Sequence, residues 1–327
     1  MTHTLDSKFS TSRRSFLVAA SALGALSAIG AKADSKDVQL VRWTGAALGA
    51  KASINLYHSD PVWAREQLDK CQREIERFEN LFSLYRPQSA VRQLNRDGFL
   101  ENPDVDFLTL LSQAIAFSEQ TSGVFDVTVQ PLWELYATHF SSLEADPEGP
   151  PSDVISTVLE RVGSRHVQLD TDQISFTKKG MGITLNGIAQ GYITDRITEL
   201  LKSAGFTDVL VSLGESYGLG GKPDGSDWTA GIVSPQDGKT ILKRVHLRNR
   251  AIATSGGYGS PFSPNSQINH LINPRDGQTA VFNRSVSVIA DQAVKADMAS
   301  TALSLMDHKE ANYLVQADAG IKDVIYL

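Results

Sequence analysis

At 327 residues the chain is long enough for one large domain or two closely joined ones, and its formal net charge of −6 excludes a basic stripe for nucleic acid. A single cysteine, Cys71, excludes an internal disulfide and falls in a helical pattern, where a half-buried structural thiol is expected.

The N-terminal stretch TSRRSFLVAASALGALSAIGAKA has the anatomy of an export signal. Arg13 and Arg14 precede a weakly apolar run, and Ala31-Lys32-Ala33 forms a small-x-small cleavage site. The run over 16–31 is interrupted by Gly24 and Gly30 and falls short of the ~20 apolar residues a bilayer core requires. A cleaved twin-arginine signal is therefore predicted over 1–33, with a periplasmic destination, no transmembrane anchor and no lipid anchor. Residues 34–327 would form the functional domain.

VQLVRWTGAALGAKASINLYH reads as two strands joined through a Gly/Ala turn. PVWAREQLDKCQREIERFENLFSLY opens with Pro61 and places Val62, Leu68, Cys71, Ile75, Phe78 and Leu81 on a helical face. A second helix is predicted over 104–120 and a third after Pro131. SSLEADPEGPPSD is a surface loop, with Ser152 or Asp153 expected to cap the helix after it. Short strands follow in HVQLD and QISFTK. TLNGIAQGYITD joins a further strand to a helix bearing Ala189, Ile193, Ile197, Leu200, Leu201 and Ala204 on one side. DVLVSLG and TAGIVSP read as strands around a glycine-rich loop, GESYGLGGKPDG. RVHLRNRAIATSG and SVSVIA add strands, then come helices over 292–306 and 308–316 and a last strand, DVIYL. Strands and helices do not alternate strictly, which predicts an α+β fold with a mixed or antiparallel sheet.

Four stretches can carry chemistry, and each has a plain structural alternative. Asp126 in TSGVFDVTVQPL could simply cap the next turn. Gly187 in TLNGIAQGYITD offers a bare peptide edge before a helix N-terminus, a ready anion site or an ordinary helix entry. His270 in SQINHLINPRDG sits in a turn set by Pro274 and Gly277, where a lone histidine is usually structural. Asp297 and Thr301 in KADMASTALSLM lie one helical turn apart, giving two oxygens to a hard cation or a hydrogen bond on a helix surface.

Taken in order along the chain, these stretches resemble the ApbE family of flavin transferases, which move the FMN half of FAD onto a threonine or serine of a target protein. FSLYRPQSAVRQLN is similar to the family's early Tyr-containing segment, GVFDVTVQPLW to its Gly-Ala-Phe-Asp-Pro-Thr motif, and TLNGIAQGYITD to its glycine motif. IATSGGY, NHLINPRDG and KADMASTAL follow in the family's order. The resemblance implies an ApbE-like, T-fold-related architecture of antiparallel or mixed sheets with packed helices. It implies FAD contacts at Leu48, Tyr85, Val124, Phe125, Asp126, Thr184, Gln190 and Leu271. It implies a Mg²⁺ held by the Gly187 carbonyl and the side chains of Asp297 and Thr301, reached by Ser300, with His270 or Asp126 as proton acceptor. AMP would leave.

The chain departs from the family pattern at several charged positions. Thr184 and Gln190 replace an aspartate and a lysine, GES at 214–216 replaces Gly-Gly-Asp, and Gly257 and Asn273 each replace an aspartate. TLNGIAQGYITD and ALGA resemble the exported NosX-type subgroup of nitrous-oxide respiration, which implies an acceptor flavoprotein in that pathway. Two other readings use the same residues: a non-catalytic FAD-binding or delivery protein, and a Mg²⁺-dependent FAD pyrophosphatase with water as nucleophile.

Overall fold

A computed structural model describes residues 38–263 and 267–327; the predicted signal over 1–33 lies outside them. The chain opens with a hairpin, β1 (Gln39–Ala47) and β2 (Ala50–His58), whose turn residues Leu48 and Gly49 both have positive φ, 47° and 78°. Right-handed strand twist favours that turn, and glycine accepts it without strain. α1 (Pro61–Phe82) begins where Asp60 accepts from the Val62 and Trp63 N–H groups. Then come α2 (Ala90–Asp97), β3 (Phe99–Glu101), α3 (Val105–Gln120), α4 (Gln130–His139), α5 (Ser152–Leu159), β4 (Val167–Leu169) and β5 (Gln173–Phe176). The second half contains α6 (Ala189–Ser203), β6 (Val209–Ser212), β7 (Ser216–Leu219), β8 (Trp228–Val233), β9 (Ile241–Leu247), β10 (Arg250–Gly256), β11 (Ser285–Ala290), α7 (Ala293–Leu305), α8 (His308–Ala317) and β12 (Ile321–Tyr326).

Seven strands form one antiparallel sheet in the order β1-β2-β6-β7-β10-β11-β12. Its two faces follow from the two-residue period of a strand. Val209, Val211, Ala251, Ala253, Val286 and Val288 point into the main core, which α1, α6 and α7 cover. The alternate residues Leu210, Ile252, Ile289 and Ile325 point the other way, onto Trp228, Ala230, Val245 and Leu247 of the β8-β9 ribbon. Strands buried on both faces read as continuous apolar runs, as Val209-Leu210-Val211 of β6 does. A third cluster, Leu132, Tyr136, Ile155, Val162 and Ile272, packs α4 and α5 against the loop that carries His270. The α+β prediction with an antiparallel sheet is what this architecture shows.

Several local expectations change. The run before Gly187, read as a strand, belongs to no ladder over 181–185. The glycine-rich loop contains β7, whose Gly218 lies so close to Leu247 of β9 that a Cβ there would meet the Leu247 Cβ at 2.8 Å; glycine in a strand marks this close approach. Val62 points to solvent, and Ala64, Gln67 and Phe82 complete the buried face of α1. Neither Ser152 nor Asp153 caps α5: Pro151 holds the N-cap position, with no side-chain cap bond, and both residues lie inside the helix. The short α2 was hidden within the Tyr-containing segment, although Ser89 and Gly98, its N-cap and left-handed C-cap, bracket it. Cys71 is fully buried, and burial pushes its thiol up to about 12, as befits a packing residue.

Candidate active site

The centre of the site is the junction of α6 and α7. α7 is buried on almost every side, which explains its run of Ala and Ser: a helix with no exposed face needs small residues to admit its neighbours. Gly191 of α6 meets it most closely, because a Cβ there would lie 2.4 Å from the Ala293 carbonyl oxygen and 2.7 Å from Val294 Cα. Gly191 N–H donates to Asp297 Oδ2 at 3.0 Å. Asp297 is 4 % exposed, so a surface hydrogen bond to Thr301, the simpler account of their spacing, is excluded. The same contact changes the expectation for the helix entry, since a first-turn N–H of α6 is already bound by a carboxylate.

Gly187 stands across from Thr301. A Cβ at 187 would meet Thr301 Oγ1 at 3.0 Å and Phe125 Cε2 at 3.6 Å, so glycine keeps the peptide within reach of that hydroxyl. Ser255 at the end of β10 extends the polar seam, with its Oγ 2.8 Å from Ser300 Oγ and 3.3 Å from Thr301 Oγ1. Burial pushes the Asp297 carboxyl up to about 7; the Gly191 N–H opposes this and the charge of Asp195 adds to it. A second carboxyl, Glu215, is also raised, first by burial and then by the Asp297 charge, with a bond from the Thr254 backbone acting against both. A divalent cation offsets two desolvated carboxylates at once. Among the described residues no three His, Cys, Asp or Glu side chains cluster, so a cation here would complete its shell with the Thr301 hydroxyl and the Gly187 carbonyl, the hard oxygen set that suits Mg²⁺. The residues fit the ion.

The lead-in to Gly187 is held by side chains and by an isolated backbone bond. Asn95 of α2 accepts from Ile183 N–H at 2.7 Å and donates to Ile183 O at 2.8 Å, imitating a strand partner. Thr184 N–H donates to Val127 O at 2.8 Å, which ties the glycine motif to GVFDVTVQPLW, and its hydroxyl accepts from Asn186 N–H at 3.3 Å. Gln190 folds its amide over Gly214, where a Cβ would meet it at 2.4 Å; Gly214 has φ 104°. Asp126 caps a short 3-10 turn, as the plain alternative held. Its Oδ1 accepts from Thr128 N–H and Oγ1, and its Oδ2 from Ser164 N–H and Ser118 Oγ. Both oxygens are thus occupied by structural donors, while Val124 and Phe125 beside it are buried.

His270 and Leu271 lie on a loop locked by Asn269, whose Nδ2 donates to Ala280 O at 2.7 Å and whose Oδ1 accepts from Leu271 N–H at 3.1 Å. His270 N–H donates to Ser260 O, and the Tyr136 hydroxyl donates to Gly277 O at 2.8 Å. Two departures from the family pattern acquire reasons here. Asn273 still accepts from Arg275 N–H at 3.0 Å, the turn an aspartate would make. Gly257 leaves no space for a side chain, because its Cβ would lie 2.7 Å from Asn269 Nδ2. Gly257 therefore links the Ser255 seam to the His270 loop.

Leu48 and Tyr85 form a separate group, joined by Glu79. Its Oε1 accepts from Leu48 N–H at 2.7 Å, while its Oε2 pairs with Arg86, next to Tyr85. Leu48 is buried and Tyr85 is 59 % exposed. Sequence reasoning missed Glu79, Asn95, Asp195, Glu215 and Asn269. Each lay within a stretch already quoted, Asp195 at the end of TLNGIAQGYITD, Asn95 at the end of FSLYRPQSAVRQLN, Glu215 in GES and Asn269 just before His270, but nothing local marked the distant partner that each one meets.

The ApbE family model matches residues 48–325. The FAD:protein FMN transferase of Vibrio cholerae is 27% identical over 308 residues, covering 88% of this chain and 91% of that protein. The protein of the same name from Buchnera aphidicola is 28% identical over 252 residues, 74% of each. Among solved structures, the ApbE protein of Thermotoga maritima superposes with a TM-score of 0.73 at 27% identity, over 88% of this chain and 93% of that one. Pseudomonas stutzeri flavinyl transferase ApbE gives 0.72 at 25% identity, over 88% and 91%. The chain belongs to the ApbE family.

Proposed function

We propose that the protein transfers the FMN half of FAD to a threonine or serine hydroxyl of an acceptor protein and releases AMP. One observation carries this reading: Gly187, Phe125 and Thr301, from three of the ordered motifs, meet at a single point beside the buried Asp297. Asp297, Thr301 and the Gly187 carbonyl would hold a Mg²⁺, which neutralises charge on the pyrophosphate oxygens. Phosphoryl transfer asks the protein mainly for position and charge. The acceptor Oγ bonds to the FMN-side phosphorus as the bond to the AMP oxygen breaks, and AMP departs with that electron pair. His270 takes the hydroxyl proton. Asp126, its lone pairs filled, keeps Phe125 in place. The family resemblance supports FAD contacts at Leu48, Tyr85, Val124, Phe125, Thr184, Gln190 and Leu271.

Incubation with FAD, Mg²⁺ and an acceptor peptide tests the reading by its products. Flavinylated peptide plus AMP supports it, free FMN plus AMP indicates a pyrophosphatase, and intact FAD indicates a delivery protein. Gln190→Lys places a cation near the pyrophosphate and is expected to tighten FAD binding by about 1 kcal/mol, roughly fivefold in Kd. Titration of flavin fluorescence measures it. Equal or weaker binding means that the Gln190 amide over Gly214 is itself part of the pocket.

The signal read over 1–33 supports an acceptor in the periplasm, and the likeness of TLNGIAQGYITD and ALGA to the NosX-type subgroup supports one in nitrous-oxide reduction. Replacing Arg13 and Arg14 together with lysine is expected to leave precursor in the cytoplasm, since the export receptor reads guanidinium pairs. Fractionation and blotting check this, and mature protein outside the cytoplasm at the wild-type level would reject the twin-arginine route.

A further inference from the structure

Asp195 lies one turn beyond Gly191 on α6 and faces the start of α7. Its Oδ1 accepts from Ala293 N–H and its Oδ2 from Val294 N–H, both at 2.8 Å. An α6 side chain thus satisfies the opening donors of α7, while Gln292, at the helix's own N-cap position, makes no side-chain cap bond. The reverse connection is the bond from Gly191 N–H to Asp297 Oδ2. Each helix therefore offers a carboxylate to backbone donors of the other, and the missing Cβ of Gly191 lets them approach closely enough to do so.

We infer that Asp195 is a positioning residue for the cation site, fixing α7 on α6 so that Asp297 presents its oxygens beside Gly187. The inference rests on the metal reading above. Asp297 follows Ala293 and Val294 by one turn, so a shift of the helix start moves it directly. Capping alone could be met by Ser, Asp or Asn at position 292. The chain instead uses a carboxylate 98 residues away in sequence from Ala293, which a cap does not need and a tie between helices does.

The test separates capping from positioning. Mn²⁺, a paramagnetic substitute for Mg²⁺ at oxygen sites, is titrated into the whole FAD-loaded protein and followed by electron paramagnetic resonance. The proteins are wild type, Asp195→Ala, Gln292→Asp, Asp195→Ala with Gln292→Asp, and Asp297→Asn. The double variant is expected to regain most of the melting temperature lost by Asp195→Ala, because the new aspartate caps α7 locally. Its Mn²⁺ affinity is expected to stay about tenfold or more below wild type, the usual loss when a residue orienting a ligand is removed. Affinity that returns with stability would make Asp195 a cap and overturn the inference. If Asp195→Ala does not fold, the double variant carries the comparison alone. Wild-type Mn²⁺ binding by Asp297→Asn would instead refute the cation site itself. Loss in Asp297→Asn with wild-type binding in the double variant would refute only the role of Asp195.

Discussion

Asp297→Asn is expected to lower flavinylation of an acceptor peptide by about 10²–10³-fold, roughly 3–4 kcal/mol in the barrier. The substitution keeps shape, and the Asn Oδ1 still accepts from Gly191 N–H, so the α6–α7 contact survives. What it removes is the anionic oxygen from which a hard cation gains most. It also removes one of two desolvated carboxyl groups that raise each other's cost, so the melting temperature is expected to hold or rise. That pairing of outcomes, activity lost and stability kept, distinguishes a site residue from a packing residue. Mass spectrometry of the acceptor against Mg²⁺ concentration, beside thermal melts of both proteins, provides the check. Identical Mg²⁺ dependence in variant and wild type, or wild-type transfer that survives a chelator, would remove the metal from the mechanism.

His270→Ala is expected to lower the transfer rate at saturating FAD by about 10²–10⁴-fold, the range for loss of a general base. FAD affinity is expected to change by less than about threefold, since Asn269 and Tyr136 hold the loop. Single-turnover transfer and flavin titration separate the two quantities. Weakened FAD binding with the saturated rate intact would make His270 a cofactor contact. The proton would then need another acceptor, and Asp126 would have to surrender one of its four hydrogen bonds to serve.

The parts of this site that could be read in the sequence are those whose geometry is local. Asp297 and Thr301 share a helix face by their spacing, Gly187 precedes a helix, and Asp126 begins a turn; each expectation needs only a few neighbouring residues. Asp195, Asn95 and Asn269 could not be read the same way. Asn95 pins residue 183 across 88 positions and Asp195 caps a helix across 98, and neither periodicity nor composition says which distant segment a side chain will meet. Asn269 acts over 11 positions but does so through a loop with no repeating pattern. The edges of the fold behaved similarly. The run leading into Gly187 reads as a strand, yet the Asn95 side chain and the Val127 carbonyl supply partners that a neighbouring strand would have given. β7 looked like a loop because its glycine was taken for a turn when it serves close packing.

The α6–α7 contact also orders events during synthesis. Gly191 and Asp297 are 106 residues apart, so a ribosome has added the whole of β6 to β11 before the second half of the clamp exists. Contacts of such long sequence separation form late, after a large loss of chain entropy. A nascent chain that has not yet emerged through Leu305 has no assembled α6–α7 junction. Ligands that need both helices bind only the finished fold, and by mass action they favour it over every earlier intermediate.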